Sequence, residues 1–315
     1  MRSRLLLAIA STGVIAGPVP AQAPHRLNPV VELLKQNQPV FGVYAPGNRR
    51  GPARTAAQLA ADALAYRAAD YVFDGSMEDD FEGAWPAFVE FVNGMAAGGA
   101  VQKAPFLRLH HPLIVKTHMI APDPAKAAER IGRQLNLGVS GIVFVGVESA
   151  DEVKQGLAAM RFRFQGGTRP DDVGGAPAYW GMSEPDYKEK ADLWPLNPRG
   201  ELINWTIVES KEGLARVREI AAVPGIGVLF PGAGTLRRVF STTDANGQRT
   251  LDAQAWEAAI QQVLAACKEF RVPCGYPATA DDIELRMKQG FSVFVINWGD
   301  AGFKAVEVGR RVAGR

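Results

Sequence analysis

Short apolar runs, each ended by a polar residue or glycine, alternate along this chain with longer stretches whose apolar positions recur every three to four residues. The first pattern predicts buried strands and the second predicts amphipathic helices. The expected strands are Val40–Tyr44, Tyr71–Asp74, Leu113–Thr117, Gly141–Val147, Ile203–Val208, Gly225–Phe230, Val272–Tyr276 and Val293–Ile296. Between them the spacing predicts helices over Ala53–Ala68, Phe81–Ala97, Ala125–Asn136, Ala150–Met160, Lys211–Ala221, Ala253–Phe270, Ala280–Lys288 and Ala301–Val312. Such alternation builds a parallel sheet covered by helices. Eight units over this length predict a closed (β/α)8 barrel of the TIM type. An open doubly wound sheet is the second choice, and no G-x-G-x-x-G follows the first strand to favour a dinucleotide-binding version.

Three segments depart from this period. Arg2 and Arg4 precede the apolar run Leu5–Gly17, and a small-x-small site ends at Ala23, so residues 1–23 read as a secretory signal peptide. The run is short for a membrane span, so export to a periplasm or the exterior is expected, with no stable span left after cleavage. Residues 24–315 then form a single barrel domain. Its longest irregular stretch, Phe162–Arg199, carries Tyr179, Trp180, Tyr187 and Trp194 and is expected to be a lid or an oligomer contact, with a loop core filled by Tyr179 and Trp180 as the plainer alternative. A second insertion, Ser241–Leu251, holds the turn sequence Asp244-Ala245-Asn246-Gly247.

Composition adds exclusions. With 47% hydrophobic and 22% charged residues the chain is an ordinary globular one. Loss of Arg2 and Arg4 leaves 33 of the 35 basic residues against 33 acidic ones, so the mature chain is about neutral, and no basic stripe suits nucleic acid. The only cysteines, Cys267 and Cys274, fall on a helix and on the next strand and are expected as free buried thiols, with a disulfide in an oxidising compartment as the alternative. Two cysteines and four scattered histidines do not make a zinc framework.

In a β/α barrel the chemistry lies at the C-terminal ends of the strands. There this chain places Tyr44, Asp74, Lys116, His118, Glu148, Glu209, the segment Pro231–Thr235, Asn297 and Trp298. Three carboxylates and one ammonium suit a divalent metal or acid–base work at a polarised carbonyl. Each has a plainer alternative. Glu209 precedes a helix whose dipole favours an acid, and Asp74 has the position of a turn cap. The run Glu78-Asp79-Asp80 reads as a solvated helix start. His110 and His111 precede a strand, at the stability end, and read as structural.

Five stretches resemble the HpcH/HpaI aldolase and citrate lyase family: "FGVYAPGN", "ADYVFDGSMEDD", "IVKTHMI", "LGVSGIVFVGVESADEV" and "WTIVESKEGLARVREIAAVPGIGVLFPGAG". The similarity runs from about Val31 to Val312, and the last stretch is the most specific. It implies a barrel of the phosphoenolpyruvate/pyruvate-domain type that cleaves or forms C–C bonds next to a 2-oxo acid or acyl thioester, with a divalent metal, Mg2+ or Mn2+, and a homo-oligomeric assembly. By position, Glu209 matches the first metal-ligand glutamate, Asp74 the aspartate after strand two, and Arg169 a G-x-R-G turn beside the substrate. Gly232 and Ala233 fall in the substrate-contacting turn after strand six. Glu148 has a glutamate counterpart in the citrate-lyase-like branch and is the candidate second ligand.

Four positions depart from the family. Its histidine base falls on Met77, its substrate-polarising arginine on Lys116, an interface aspartate on Asn136 and its second metal-ligand aspartate on Gly234. His118 is the candidate replacement for the histidine. The resulting expectation is an exported aldolase-like lyase with Lys116, Asp74 and His118 as catalytic groups. The alternatives are a small-molecule binding protein on a degenerate barrel and a metal-independent enzyme that forms a Schiff base through Lys116.

Overall fold

Eight of the apolar runs are strands, and all of them lie parallel. The computed structural model describes residues 25–47, 53–121 and 123–315, so the expected signal peptide lies outside the described residues. The barrel strands are β1 (Val40–Tyr44), β2 (Tyr71–Asp74), β3 (Leu113–Lys116), β4 (Gly141–Phe144), β5 (Leu202–Val208), β6 (Val228–Pro231), β7 (Gly275–Pro277) and β8 (Val293–Ile296). They pair in the order β7-β8-β1-β2-β3-β4-β5-β6. A parallel bridge from Leu229 to Cys274, with Leu229 N–H donating to Pro273 O at 3.0 Å, joins β6 to β7 and closes the ring.

Residues alternate across each strand, so every second one faces the barrel axis. Tyr71, Phe73, Ile114, Val143, Val145, Ile203, Trp205, Ile207, Val228, Phe230, Val293 and Val295 form that interior cluster. Trp205 is its largest member, edge-on to Tyr71 at 5.2 Å and stacked with Phe230 at 6.3 Å. The other strand faces pack against the helices in a second, larger core. The interior is filled solid, which leaves only the rims for chemistry.

A helix absent from the expected pattern, Pro29–Lys35, plugs the N-terminal rim. It is short, capped by Asn28, whose side chain accepts from Val30 N–H, and started by Pro29, which needs no N–H there. Its Val30, Val31 and Leu34 join the interior cluster. Burying each stabilises the barrel by roughly 1.5–3 kcal/mol. Among the described residues no helix is long and apolar enough to cross a membrane.

The Phe162–Arg199 stretch overturns the lid expectation. It joins the C-terminal end of the helix Ala150–Met160 to the start of β5, so it lies at the N-terminal rim, away from the strand C-termini. Its helices Ala176–Trp180 and Glu184–Lys190 bury Tyr179, Trp180 and Tyr187. Trp180 Nε1 donates to Gly138 O at 2.8 Å and Tyr187 Oη to Leu135 O at 3.2 Å. These aromatics dock the insertion on the barrel and cover no mouth.

The cysteine expectation is also corrected. Cys267, near the end of the helix Ala253–Phe270, and Cys274, just before β7, form a disulfide with Cα atoms 5.7 Å apart. Tight reversal of the chain after Phe270, through Arg271 in the left-handed region, brings the two Cα atoms within bonding range.

Candidate active site at the strand C-termini

Inward alternation selects the residues of the C-terminal mouth. Continuing the interior positions of β1, β2, β3, β5 and β6 by one step gives Tyr44, Gly75, Lys116, Glu209 and Gly232. Small residues keep this layer open. A Cβ on Gly75 would come 3.5 Å from the Tyr44 ring and 3.6 Å from Cδ of Lys116, so these side chains crowd around it. On Gly232 it would collide with Cβ and Oε2 of Glu209, so glycine is what lets that carboxylate stand at the mouth.

Glu209 is fixed by its neighbours. Its Oε1 accepts from Gly146 N–H at 2.9 Å. Gly146 has φ +59°, a left-handed bend that side chains rarely adopt and that turns this amide toward the carboxylate. Beyond the bend the pairing resumes, with Val147 N–H donating to Ile207 O at 3.1 Å. Ser210 then caps the helix Lys211–Ala215, its side chain accepting from Gly213 N–H. Glu148 follows in the same loop after β4, half-buried, with its backbone carbonyl accepting from Arg216 at 3.4 Å.

The other half of the mouth is an ion pair that sequence reading did not anticipate. Lys116 Nζ donates to Glu78 Oε2 at 2.6 Å, and His118 Nδ1 lies 2.8 Å from Glu78 O. That carbonyl only accepts, so Nδ1 is the ring nitrogen that carries a proton there. Glu78 is thus drawn into the site rather than left as a solvated helix start, and Asp80 alone caps the following helix through Gly83 N–H. Met77, where a histidine base was looked for, is fully buried, with its sulfur 3.6 Å from Gln134 Nε2. The same Gln134 nitrogen donates to Lys116 O at 2.9 Å, tying the two turns together.

Asp74 serves its own turn. Its Oδ1 accepts from Ser76 N–H at 2.9 Å and from Ser76 Oγ at 2.6 Å. Burial pushes its carboxyl above the usual aspartate value, against the pull of those two bonds. It ends β2 at the start of the turn that carries Glu78, on the strand face away from the barrel axis.

Arg169 is not beside these groups, which corrects its assignment to substrate binding. It lies at the N-terminal rim, buried, with Nη2 donating to Asn136 Oδ1 at 2.9 Å and to Tyr187 Oη at 3.2 Å. Its guanidinium sits 4.3 Å from the centre of the Phe162 ring, a cation–π contact. Asn136 is engaged there too, donating to Asp172 at 2.8 Å. Gly232 and Ala233 do reach the mouth: Gly232 N–H donates to Val208 O at 2.9 Å, and Ala233 begins a short helix.

The donors for a metal are few. Among the described residues no three His, Cys, Asp or Glu side chains gather closely enough to hold an ion. Gly234 supplies no side chain, and a Cβ placed on it would meet nothing within 4 Å. Glu209 keeps Oε2 free of any hydrogen bond to a described residue, and Glu148 follows two residues after the amide that holds its other oxygen. One or two carboxylates of this kind fit a hard cation that takes its remaining ligands from substrate and water. Two clefts of about 390 and 400 Å³ open instead at the opposite rim, sharing Leu34, Asn37, Arg271, Val272 and Pro273. They contain none of the strand-end groups, and in a filled barrel they do not communicate with the mouth.

A model of the HpcH/HpaI aldolase/citrate lyase family matches residues 95–295 of the chain. The chain is similar to a hydroxypyruvate/pyruvate aldolase of Paraburkholderia phytofirmans, 24% identical over 251 residues that cover 79% of this chain and 82% of the relative. Among solved structures it resembles an HpcH/HpaI aldolase/citrate lyase family protein from Burkholderia cenocepacia, with a TM-score of 0.63 and 21% identity over 86% of this chain and 92% of that one. An HpcH/HpaI aldolase from Desulfitobacterium hafniense gives a TM-score of 0.60 at 14% identity, over 90% and 95% of the two chains. At such identities the structural likeness speaks to the fold, and the family match reaches across β3 to β8.

Proposed function

Because the chain belongs to the HpcH/HpaI aldolase/citrate lyase family, we propose that it is a carbon–carbon lyase acting next to the carbonyl of a 2-oxo acid. The observation that carries this reading is the inward row at the mouth, where the Lys116 ammonium and the Glu209 carboxylate stand in a layer kept open by Gly75 and Gly232. An ammonium there meets the carboxylate or 2-oxo oxygen of the substrate as a point charge, without the fork of a guanidinium. Glu209, with Glu148 as its partner, would hold Mg2+ or Mn2+. A cation so held supplies positive charge against the enolate oxygen that develops as the C–C bond breaks. Proton transfer falls to the groups around Lys116, namely Asp74, Glu78 and His118.

Two alternatives receive different support. A Schiff base needs a free amine, and the ion pair to Glu78 commits the Lys116 nitrogen as a donor, which counts against it. A binding protein without turnover is favoured by one observation, the missing side chain at Gly234. Export is part of the proposal, and the Cys267–Cys274 disulfide supports it, because such bonds persist in oxidising compartments.

The test is aldol addition of pyruvate or hydroxypyruvate, the 2-oxo acids named for the relative, to a panel of aldehydes with Mg2+ or Mn2+. The expected result is an adduct formed by the mature protein and lost in Glu209→Ala. Binding of pyruvate without turnover of any pair would transfer the assignment to the binding reading.

A further inference from the structure

Resting on the lyase reading, we propose that Glu78 is the base of the reaction and that Lys116 masks it until an anionic 2-oxo acid arrives. Glu78 lies one residue beyond Met77, which is turned into the core and has no titratable group to offer. The turn that carries it is pinned from outside by the His118 ring on its carbonyl at 2.8 Å and capped onward by Asp80. Its carboxylate has one oxygen on Lys116 at 2.6 Å, while the other makes no hydrogen bond to a described residue. With side-chain exposures of 29% for Glu78 and 13% for Lys116, the acid is the more open member of the pair and the amine the more enclosed.

The other candidates are less free. Asp74 spends one oxygen on both donors of Ser76 and lies on the outward parity of β2. His118 spends Nδ1 on the Glu78 carbonyl. Lys116 has three N–H donors, of which Glu78 takes one, so the same ammonium can grip Glu78 and an incoming carboxylate together. That arrival has two effects of one sign. The ammonium is shared between two anions, and a second negative charge now stands beside Glu78; both raise the affinity of Glu78 for a proton. The carboxylate is therefore a stronger base with substrate bound than without it. Lys116 and His118 are the charged or titratable neighbours on the facing turn, Asp74, Asp79 and Asp80 those on its own, and Tyr44 adjoins Lys116 from the end of β1.

The step balances without a further reactant. In a 4-hydroxy-2-oxo acid, Glu78 takes the hydroxyl proton, and the oxygen's electron pair forms the aldehyde carbonyl as the C3–C4 bond breaks. The pair from that bond enters the enolate of the 2-oxo acid. Glu78 then returns the proton to C3 and is again a carboxylate.

The reverse of that last transfer can be read alone, as exchange of the methyl protons of pyruvate with deuterium from solvent, followed by NMR from about pH 5 to 9 with Mn2+ or Mg2+. Wild type is expected to exchange, with a rate that falls on the acid side. Glu78→Gln should lower the rate at least about a hundredfold and abolish the acid limb, with the pyruvate KM changed by less than about threefold, and Glu78→Asp should restore part of the rate. Exchange in Glu78→Gln within about threefold of wild type, with the acid limb kept, overturns this assignment and leaves the lyase reading standing. No exchange by folded wild-type protein at any pH overturns both.

Discussion

Gly234 is the residue at which the chain departs most from a two-carboxylate metal site, and its surroundings make the departure testable. Nothing stands within 4 Å of a Cβ placed there, and the residue lies in the first turn of the helix Ala233–Val239 with ordinary helical backbone. Gly234→Asp should therefore fold, and should gain about 0.3–1 kcal/mol from placing an acid at a helix start. It is also expected to tighten Mn2+ binding at least about tenfold, measured by Mn2+ electron paramagnetic resonance; unchanged affinity would place the cation away from Glu209. Arg169 gives the opposite expectation. It is buried at the far rim with partners Asn136 and Tyr187, so Arg169→Met should lower the melting temperature and leave the pyruvate KM unchanged. A raised KM would return it to the substrate. These residues show where the sequence was legible at this scale. Glu209 ends a long apolar strand, and strand parity alone aims it inward. The partner of Lys116 lies 38 residues away on another turn, a separation no local pattern encodes, so Glu78 read as a solvated acid.

Among the elements, the helices Phe81–Ala97, Ala150–Met160 and Ala253–Phe270 and the strands β1, β2 and β8 coincide with their apolar periodicity. Their caps explain it: Asp80, Ser149 and Asp252 each accept from an N–H in the first turn and are the residue types that favour that place. The Pro29–Lys35 plug was missed because seven residues are too few to show a helical period. The segment before β3 carries a pH-dependent element. His111 is 2% exposed, and burial, aided by the nearby Arg67 and His110, pushes its imidazole down to about 4 from 6.5. The unfolded chain then binds the extra proton first, so stability is full above about pH 6.5 and falls as pH drops toward 4. At about 1.36 kcal/mol per unit the loss reaches roughly 3 kcal/mol, and His111→Asn should flatten that slope in urea melts run between pH 4 and 7. An unchanged slope would assign acid sensitivity to other groups. The disulfide joins a helix end to the approach to β7 across a sequence separation of 7. Closing so short a loop is worth roughly 2–3 kcal/mol, and a thiol titration of the denatured protein should find no free thiol before reduction and both afterwards.

At the scale of the whole molecule, the barrel follows from the order of its elements, and so does the correct end for its chemistry. The same order already places Phe162–Arg199 at the N-terminal rim, since it links a helix to the following strand; its aromatic content alone suggested a lid. Motif matching misplaced Arg169 for the same reason, because a matched turn carries no information about which rim it joins. What the fold does assemble is a filled barrel, plugged below by Pro29–Lys35 and open above at Lys116, Glu78 and Glu209. The central claim is that this mouth binds a 2-oxo acid together with a divalent cation on Glu209. Calorimetric titration of the mature protein with Mn2+, alone and in the presence of pyruvate, tests it most directly. The account predicts binding that appears or tightens when pyruvate is present and disappears in Glu209→Ala. Binding that is the same with and without pyruvate, or that survives Glu209→Ala, would contradict it.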